Sequence, residues 1–183
     1  MSSVSAHRAS DPIEPLAPSE RAFVDNWGSL AEAFGMKRDQ GRVHALIYIA
    51  LAPLDDAAIA RRLELSDVDA RRHLSELSDW GVIARDRDGS GYTTDPDPWA
   101  WFLQILAERH HREFGPVLQA MRRTLSSLDA RANTPSEREF YKRAERFTTF
   151  VEDLSRLIEL FLRLGSKPMA AVLKTLAKIA PRA

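Results

Sequence analysis

The chain has no cysteine among its 183 residues. That excludes a disulfide framework and thiol chemistry, and it suits a reducing cytoplasm. Net charge is missing too, since 26 Lys and Arg balance 26 Asp and Glu. A basic domain is the usual footprint of a nucleic-acid binder, so a neutral chain predicts weak non-specific binding and specificity resting on few contacts. No apolar run approaches the length of a membrane span. Residues 1–18 carry Pro12, Pro15 and Pro18 but no apolar stretch of the kind a signal peptide needs, and they read as a disordered arm. The expectation is a soluble, cytoplasmic protein without membrane contact. There is no Gly-rich phosphate loop, no Ser-His-Asp constellation and no carboxylate pair at fixed spacing. Neither enzyme activity nor a cofactor is expected.

What is there begins at residues 54–94. Asp55 and Asp56 open a short helix, where acids favour the helix dipole, and Ile59, Ala60 and Leu63 turn inward. A tight turn ends at Ser66, a residue able to accept a bond from a free amide of the next helix's first turn. Ala70, Leu74 and Leu77 then share one face of a second helix, and Gly81 stands where a helix end favours left-handed geometry. Two β-prone runs, 82–85 and 91–94, flank Asp88-Gly89-Ser90-Gly91, which is strong hairpin chemistry. Helix, turn, helix and hairpin in this order predict a winged helix-turn-helix, with its second helix presented to a DNA major groove. Arg85 or Arg87 on the hairpin would lie beside a phosphate or the minor groove, and Arg71, Arg72 and His73 would face the same way. Residues 54–95 are nevertheless acidic, with six Arg against ten Asp and Glu, while residues 96–183 carry fifteen basic and ten acidic residues.

The flanks read as helices. Ser19 is the expected cap of the first, in which Phe23, Trp27, Leu30, Ala31 and Phe34 form one apolar stripe closed by Gly35. Residues 41–51 are apolar nearly all round, so that helix belongs in the core with His44 as a satisfied core histidine, and Pro53 stops it. Asp97-Pro98 caps a long helix to about Leu128, with a kink or break at Gly115-Pro116. Thr134-Pro135 opens the next, over 136–164. There Phe140, Ala144, Phe147, Val151, Leu154, Ile158 and Phe161 alternate at four and three for about three heptads, widened by Phe150, Leu157, Leu162 and Leu164. After Gly165, Lys167-Pro168 starts a last amphipathic helix with Met169, Val172, Leu173, Leu176 and Ile179 on one side. This is more apolar surface than one small winged domain covers. A homodimer through Phe23, Trp27, Phe140, Phe147, Val151, Leu154, Ile158 and Phe161 would bury it. Two recognition helices would then stand about 34 Å apart on pseudo-palindromic double-stranded DNA. A monomeric bundle folded back on itself is the other solution. The predicted fold is mainly α: a winged helix-turn-helix over 19–95 with a small β-hairpin wing, and N- and C-terminal dimerisation helices, the latter over 96–183.

Five landmarks occur in order: Phe23-Val24-Asp25-Asn26-Trp27-Gly28, Gly41-Arg42-Val43, the core motif at 54–82, Asp97-Pro98-Trp99, and Arg112-Glu113-Phe114-Gly115-Pro116. Together they resemble the MarR superfamily of bacterial transcriptional regulators, and within it the GbsR-type branch, from Glu20 to about Leu162. The resemblance implies a homodimer that binds operator DNA and represses or activates nearby genes, repression being the expectation, with a small-molecule effector tuning affinity in some members. By matching position it puts Ser66, Asp67, Asp69, Arg71, Arg72 and Ser75 on the groove side of the recognition helix, and Arg85 and Arg87 on the wing. Glu64 stands where a Gly is frequent. Some members of this branch sense quaternary ammonium compounds, which aromatic cages bind through their π-faces. Trp27, Trp99 and Trp101 would line such a pocket, and plain packing is their other reading. His110-His111 is not read as a metal site, because adjacent histidines point to different faces and no further ligand stands at metal spacing. The acidic balance of 54–95 favours one alternative, a winged-helix protein-interaction module that does not bind DNA.

Overall fold

A computed structural model describes residues 15–129 and 134–165, with the helical positions Pro168, Ala171 and Thr175 beyond them. Residues 1–14 of the expected arm, and the rest of the expected last helix, lie outside the described residues. The chain forms two compact units, one ending at Thr94 and the other starting at Asp95.

In the first unit, α1 (Pro18–Ala33) starts earlier than its expected Ser19 cap. Pro18 fills the first helical position, where its missing N–H is no loss and its fixed φ suits the helix. Ala17 takes the cap position, and the carboxylate of Glu20 accepts its N–H at 2.9 Å. Leu16 is buried, so the chain is anchored before the helix begins. The second helix, α2 (Arg38–Ile49), also starts earlier than read and stops short of Leu51. Ala50 is already extended, and Pro53 biases Ala52 away from helix. Leu51, expected in the core, is therefore fully exposed.

The two helices cross with their backbones in contact. A Cβ added at Gly41 would stand 2.5 Å from the Cβ of Ala31, and one at Gly28 would stand 2.6 Å from Cγ of Arg42. Arg42 clamps this crossing by donating to Asp25 and Asp39, each at 2.9 Å. Trp27 brackets it, with its ring 5.5 Å from Phe23, 5.4 Å from His44 and 5.1 Å from Tyr48. Close packing is what the Trp27-Gly28 and Gly41-Arg42 landmarks encode.

On this pair sit α3 (Asp56–Leu63) and α4 (Asp67–Asp79), followed by strands β1 (Ile83–Arg85) and β2 (Tyr92–Thr94). Ile59, Leu63, Ala70, Leu74 and Leu77 close a core with Val24, Val43 and Leu46, all but inaccessible to solvent. Each large aliphatic side chain so buried contributes roughly 1.5–3 kcal/mol. Strands β1 and β2 pair antiparallel, Ala84 opposite Thr93, and Leu54 adds a bridge to Tyr92. Gly91 permits that bridge, because a Cβ there would meet the backbone nitrogen of Leu54 at 2.7 Å.

His44 is buried as expected, and its environment defines its tautomer. The Thr94 hydroxyl spends its proton on the carbonyl of Val82 at 2.8 Å, so it accepts from Nε2 of His44 at 3.2 Å. Burial pushes the imidazole pKa down to about 4, and the ring is neutral at neutral pH.

The second unit opens with α5 (Pro98–Arg109), where Asp97 accepts the N–H of Trp99 at 3.0 Å and Pro98 fills the first position. The break expected at Gly115-Pro116 takes the form of a π-helical turn (His110–Phe114) leading into α6 (Gly115–Asp129). Proline has no N–H and its ring excludes the carbonyl four residues back, so Gly115 donates instead to His110 O, five back. Thr134 and Glu137 cap α7 (Pro135–Leu164) reciprocally, at 3.2 and 2.8 Å.

The inward face of α7 buries Thr148, Ser155 and Ile158, and the same unit buries Leu103 and Leu118. Ser155 Oγ lies 2.7 Å from Nε2 of His110, and Arg122 of α6 donates to Glu152 at 2.7 Å. The expected heptad seam is thereby corrected at Ile158, which is consumed inside its own unit. Two small polar residues centre the inward face, and counting apolar residues alone passes over them. Phe140, Phe147 and Phe150 are 56, 57 and 60% exposed, and Leu157 and Leu160 are also open to solvent. Among the described residues no helix is long and apolar enough to cross a membrane.

Candidate nucleic-acid interface

Two caps fix the helix-turn-helix. Asp55 accepts the N–H of Ala58 at 2.6 Å and Ser66 that of Asp69 at 3.0 Å. Between them Glu64 adopts left-handed geometry, φ 59° and ψ 37°, where a Gly would sit without strain. Leu65 N–H returns to Ala60 O at 2.9 Å, and the Glu64 carboxylate pairs with Arg21 at 3.0 Å. The turn therefore keeps its shape in spite of the missing glycine.

The buried face of α4 comprises Ala70, His73, Leu74 and Leu77. His73 does not face outward with Arg71 and Arg72 as read, because position 73 continues the 70–74–77 stripe. Its Nδ1 lies 3.7 Å from Glu76, which Lys37 engages at 2.6 Å. Burial lowers the His73 pKa despite that carboxylate. The outward face carries Val68, Arg71, Arg72, Ser75 and Asp79, with Asp67 beside them at the helix start.

Not all of the expected contact residues are equally available. The Ser66 hydroxyl donates to Asp69 at 2.7 Å, and Asp69 also accepts from Arg72 at 2.6 Å. The Ser66 bond and the charge of Arg72 hold the Asp69 carboxyl below the usual carboxylate range. Ser66, Asp69 and Arg72 thus form one local network at the start of α4. Arg71 is exposed and, among the described residues, makes no ion pair or hydrogen bond.

The wing divides in the same way. Arg85 lies back over its own strand pair, 4.3 Å above the Tyr92 ring, donating to the Tyr92 hydroxyl at 3.0 Å and to Asp56 at 3.3 Å. Arg87 stays exposed at the hairpin tip, where Asp86 and Asp88 brace the turn through Ser90 and Gly91. Gly89, at φ 74°, supplies the left-handed position the turn requires.

Two candidates escape a reading of the sequence. Arg61, in the last turn of α3, is exposed and without an ion pair among the described residues. Val68 is 69% exposed on the outward line of α4. Both stand off the apolar stripes of their helices. The rings named for an aromatic pocket belong to different units. Trp27 is packed within the first as described. In the second, Trp99 stands edge-on to Phe102 at 5.9 Å and Trp101 is half-buried in α5.

A solved structure described as that of a transcriptional regulator shares this architecture, with a TM-score of 0.59 over 79% of this chain and 96% of its own. The two sequences are 16% identical, so the likeness is one of fold. No family model and no curated protein matches the sequence. The fold is a mainly α winged helix with a two-stranded wing.

Proposed function

We propose that the chain is a DNA-binding transcriptional regulator, acting as a two-fold dimer, of the MarR superfamily and its GbsR-type branch. The outward face of α4 carries the reading. Val68, Arg71, Arg72 and Ser75 recur at i, i+3, i+4 and i+7 on a helix locked by a cap and flanked by a wing. On this reading Arg71 pairs with the O6 and N7 of a guanine and Val68 meets a thymine methyl. Arg72, held by Asp69, serves the shape of the helix start more than readout. Arg61 and Arg87 are the phosphate contacts. Two from each of two protomers give a dependence of log affinity on log salt of slope roughly −4. That shallow slope fits a neutral chain.

Dimerisation rests on α7. Its outward line Phe140, Phe147, Phe150, Leu154, Leu157, Phe161 and Leu164 follows a heptad that the unit's own core leaves largely uncovered, and a second copy supplies a matching line. Repression, with tuning by an effector, completes the reading.

A mobility-shift titration on DNA upstream of the chain's own gene, with unrelated DNA as control and at two salt concentrations, tests it. Retardation of the upstream fragment alone, lost in Arg71→Ala, is the expected result. The acidic balance of residues 54–95 favours a protein-interaction module instead, and in that case neither fragment is retarded at low salt by the folded protein.

A further inference from the structure

Lys37, Glu76 and His73 form a short chain of charge that joins the start of α2 to α4. The Lys37 Nζ lies 2.6 Å from one carboxylate oxygen of Glu76, and the other oxygen stands 3.7 Å from Nδ1 of His73. The Lys37 side chain is 57% exposed, whereas that of His73 is 3% exposed. Among the described residues the His73 Nδ1 has no hydrogen-bond partner. Glu76 follows Ser75 on α4 and lies one helical turn past Arg72, so Lys37 stands at the edge of the face read as entering the groove. A phosphate there competes with Glu76 for the ammonium. A buried nitrogen without a partner is costly, and a proton shared with Glu76 removes that cost. We propose that on DNA binding Lys37 passes from Glu76 to a phosphate, and that Glu76 then accepts the Nδ1–H of a His73 ring that has taken up a proton from solvent.

The charges around His73 set the sign. Burial opposes the imidazolium most; Arg72 of α4 and Lys37 of α2 oppose it as well, while Glu76 of α4 and Asp39 of α2 favour it. In the free protein the balance holds the ring below its ordinary pKa, so it is neutral at neutral pH. Moving Lys37 onto a phosphate takes away one opposing charge and leaves Glu76 without its partner, and both changes favour the proton. The bound state therefore carries more protons than the free one, and affinity rises as pH falls. The inference rests on the DNA-binding reading and deepens it. Lys37 joins Arg61 and Arg87 as a phosphate contact in each protomer, which steepens the salt slope from roughly −4 to roughly −5.

The test is anisotropy titration of the full chain, at pH 8 and at pH 6, on DNA selected from a random pool by the wild type. Binding at least about threefold tighter at pH 6 is expected. Lys37→Met, a change at an exposed position, should lose that gain and return the salt slope to roughly −4. His73→Gln should lose the gain too. Proton resonances of the imidazole read the same relay without DNA, and His73 should titrate at higher pH in free Lys37→Met than in the free wild type. Equal affinity at the two pH values overturns the proposal and leaves the DNA-binding reading standing. So does a gain that persists in Lys37→Met, or a His73 titration that Lys37→Met leaves unchanged. A pool in which no sequence is enriched at either pH overturns both. Should His73→Gln fail to fold, Lys37→Met decides the matter.

Discussion

The two units bury their helices in different ways. In the first, Val24, Val43, Leu46, Ile59, Leu63, Leu74 and Leu77 are sealed almost completely, and the helices approach until Gly28 and Gly41 touch. In the second, the described core is thin: Leu103, Leu118 and Ile158, with Thr148 and Ser155 between helices, while three phenylalanines of α7 stand more than half exposed. Both units leave large apolar side chains open, Leu30, Phe34 and Leu51 in the first as well as those of α7 in the second. The described residues of the first nevertheless seal a continuous aliphatic core, and those of the second do not. The first fixes α4 on a sealed core, and the second leaves the outward line of α7 open to solvent.

Breaking the second unit's half of that contrast should have the largest effect. Phe147→Glu combined with Leu157→Glu places charges on the outward line of α7; on the proposed dimer, sedimentation should report the mass of two chains for the wild type and of one for the variant. A variant still sedimenting as two chains removes α7 from the interface. Next comes acid. His44 is neutral in the fold with a pKa near 4, against an ordinary value of 6.5, so the unfolded chain takes up the proton first. Its contribution is complete above pH 6.5 and is lost as pH falls through 4, by about 3 kcal/mol in all. Burial of His73 acts in the same direction. Chemical denaturation from pH 7 to 4 should show this loss, and His44→Gln should flatten it.

Two smaller changes sharpen the picture of the first unit. Gly41→Ala gains about 1 kcal/mol of helix propensity but forces a contact at 2.5 Å, whose relief costs about 1–3 kcal/mol or more. A net loss of midpoint in urea is expected, and a gain would mean the crossing is looser than its geometry. Ser66→Ala removes the α4 cap for about 1 kcal/mol. It also releases Asp69 from its hydroxyl partner, and the same denaturation measurement reads both effects.

What the sequence made legible was local. Caps at Ser66, Asp97 and Thr134, the left-handed Gly81 and the Asp-Gly hairpin depend on a few neighbouring residues, and each stands where it was read. What escaped was tertiary. Leu51 is apolar yet exposed because the chain leaves α2 before it. His73 is polar yet buried because it continues an apolar stripe. Arg85 resembles a phosphate contact in sequence, but Tyr92 opposite it in the register and Asp56 from α3 draw it back. On α7 the face that packs on its own unit includes Ile158 beside the small Thr148 and Ser155, and Leu157 stays outside. Periodicity identifies a stripe without saying which of two adjacent lines faces the unit itself.

The most direct test of the account is an anisotropy titration on DNA selected from a random pool by the wild-type protein, comparing Arg71→Ala with Arg72→Ala. Loss of one guanidinium–guanine pair predicts a drop of about 5- to 150-fold for Arg71→Ala and a much smaller one for Arg72→Ala. A pool in which no sequence is enriched at low salt, or an Arg71→Ala variant that binds as the wild type does, would contradict it.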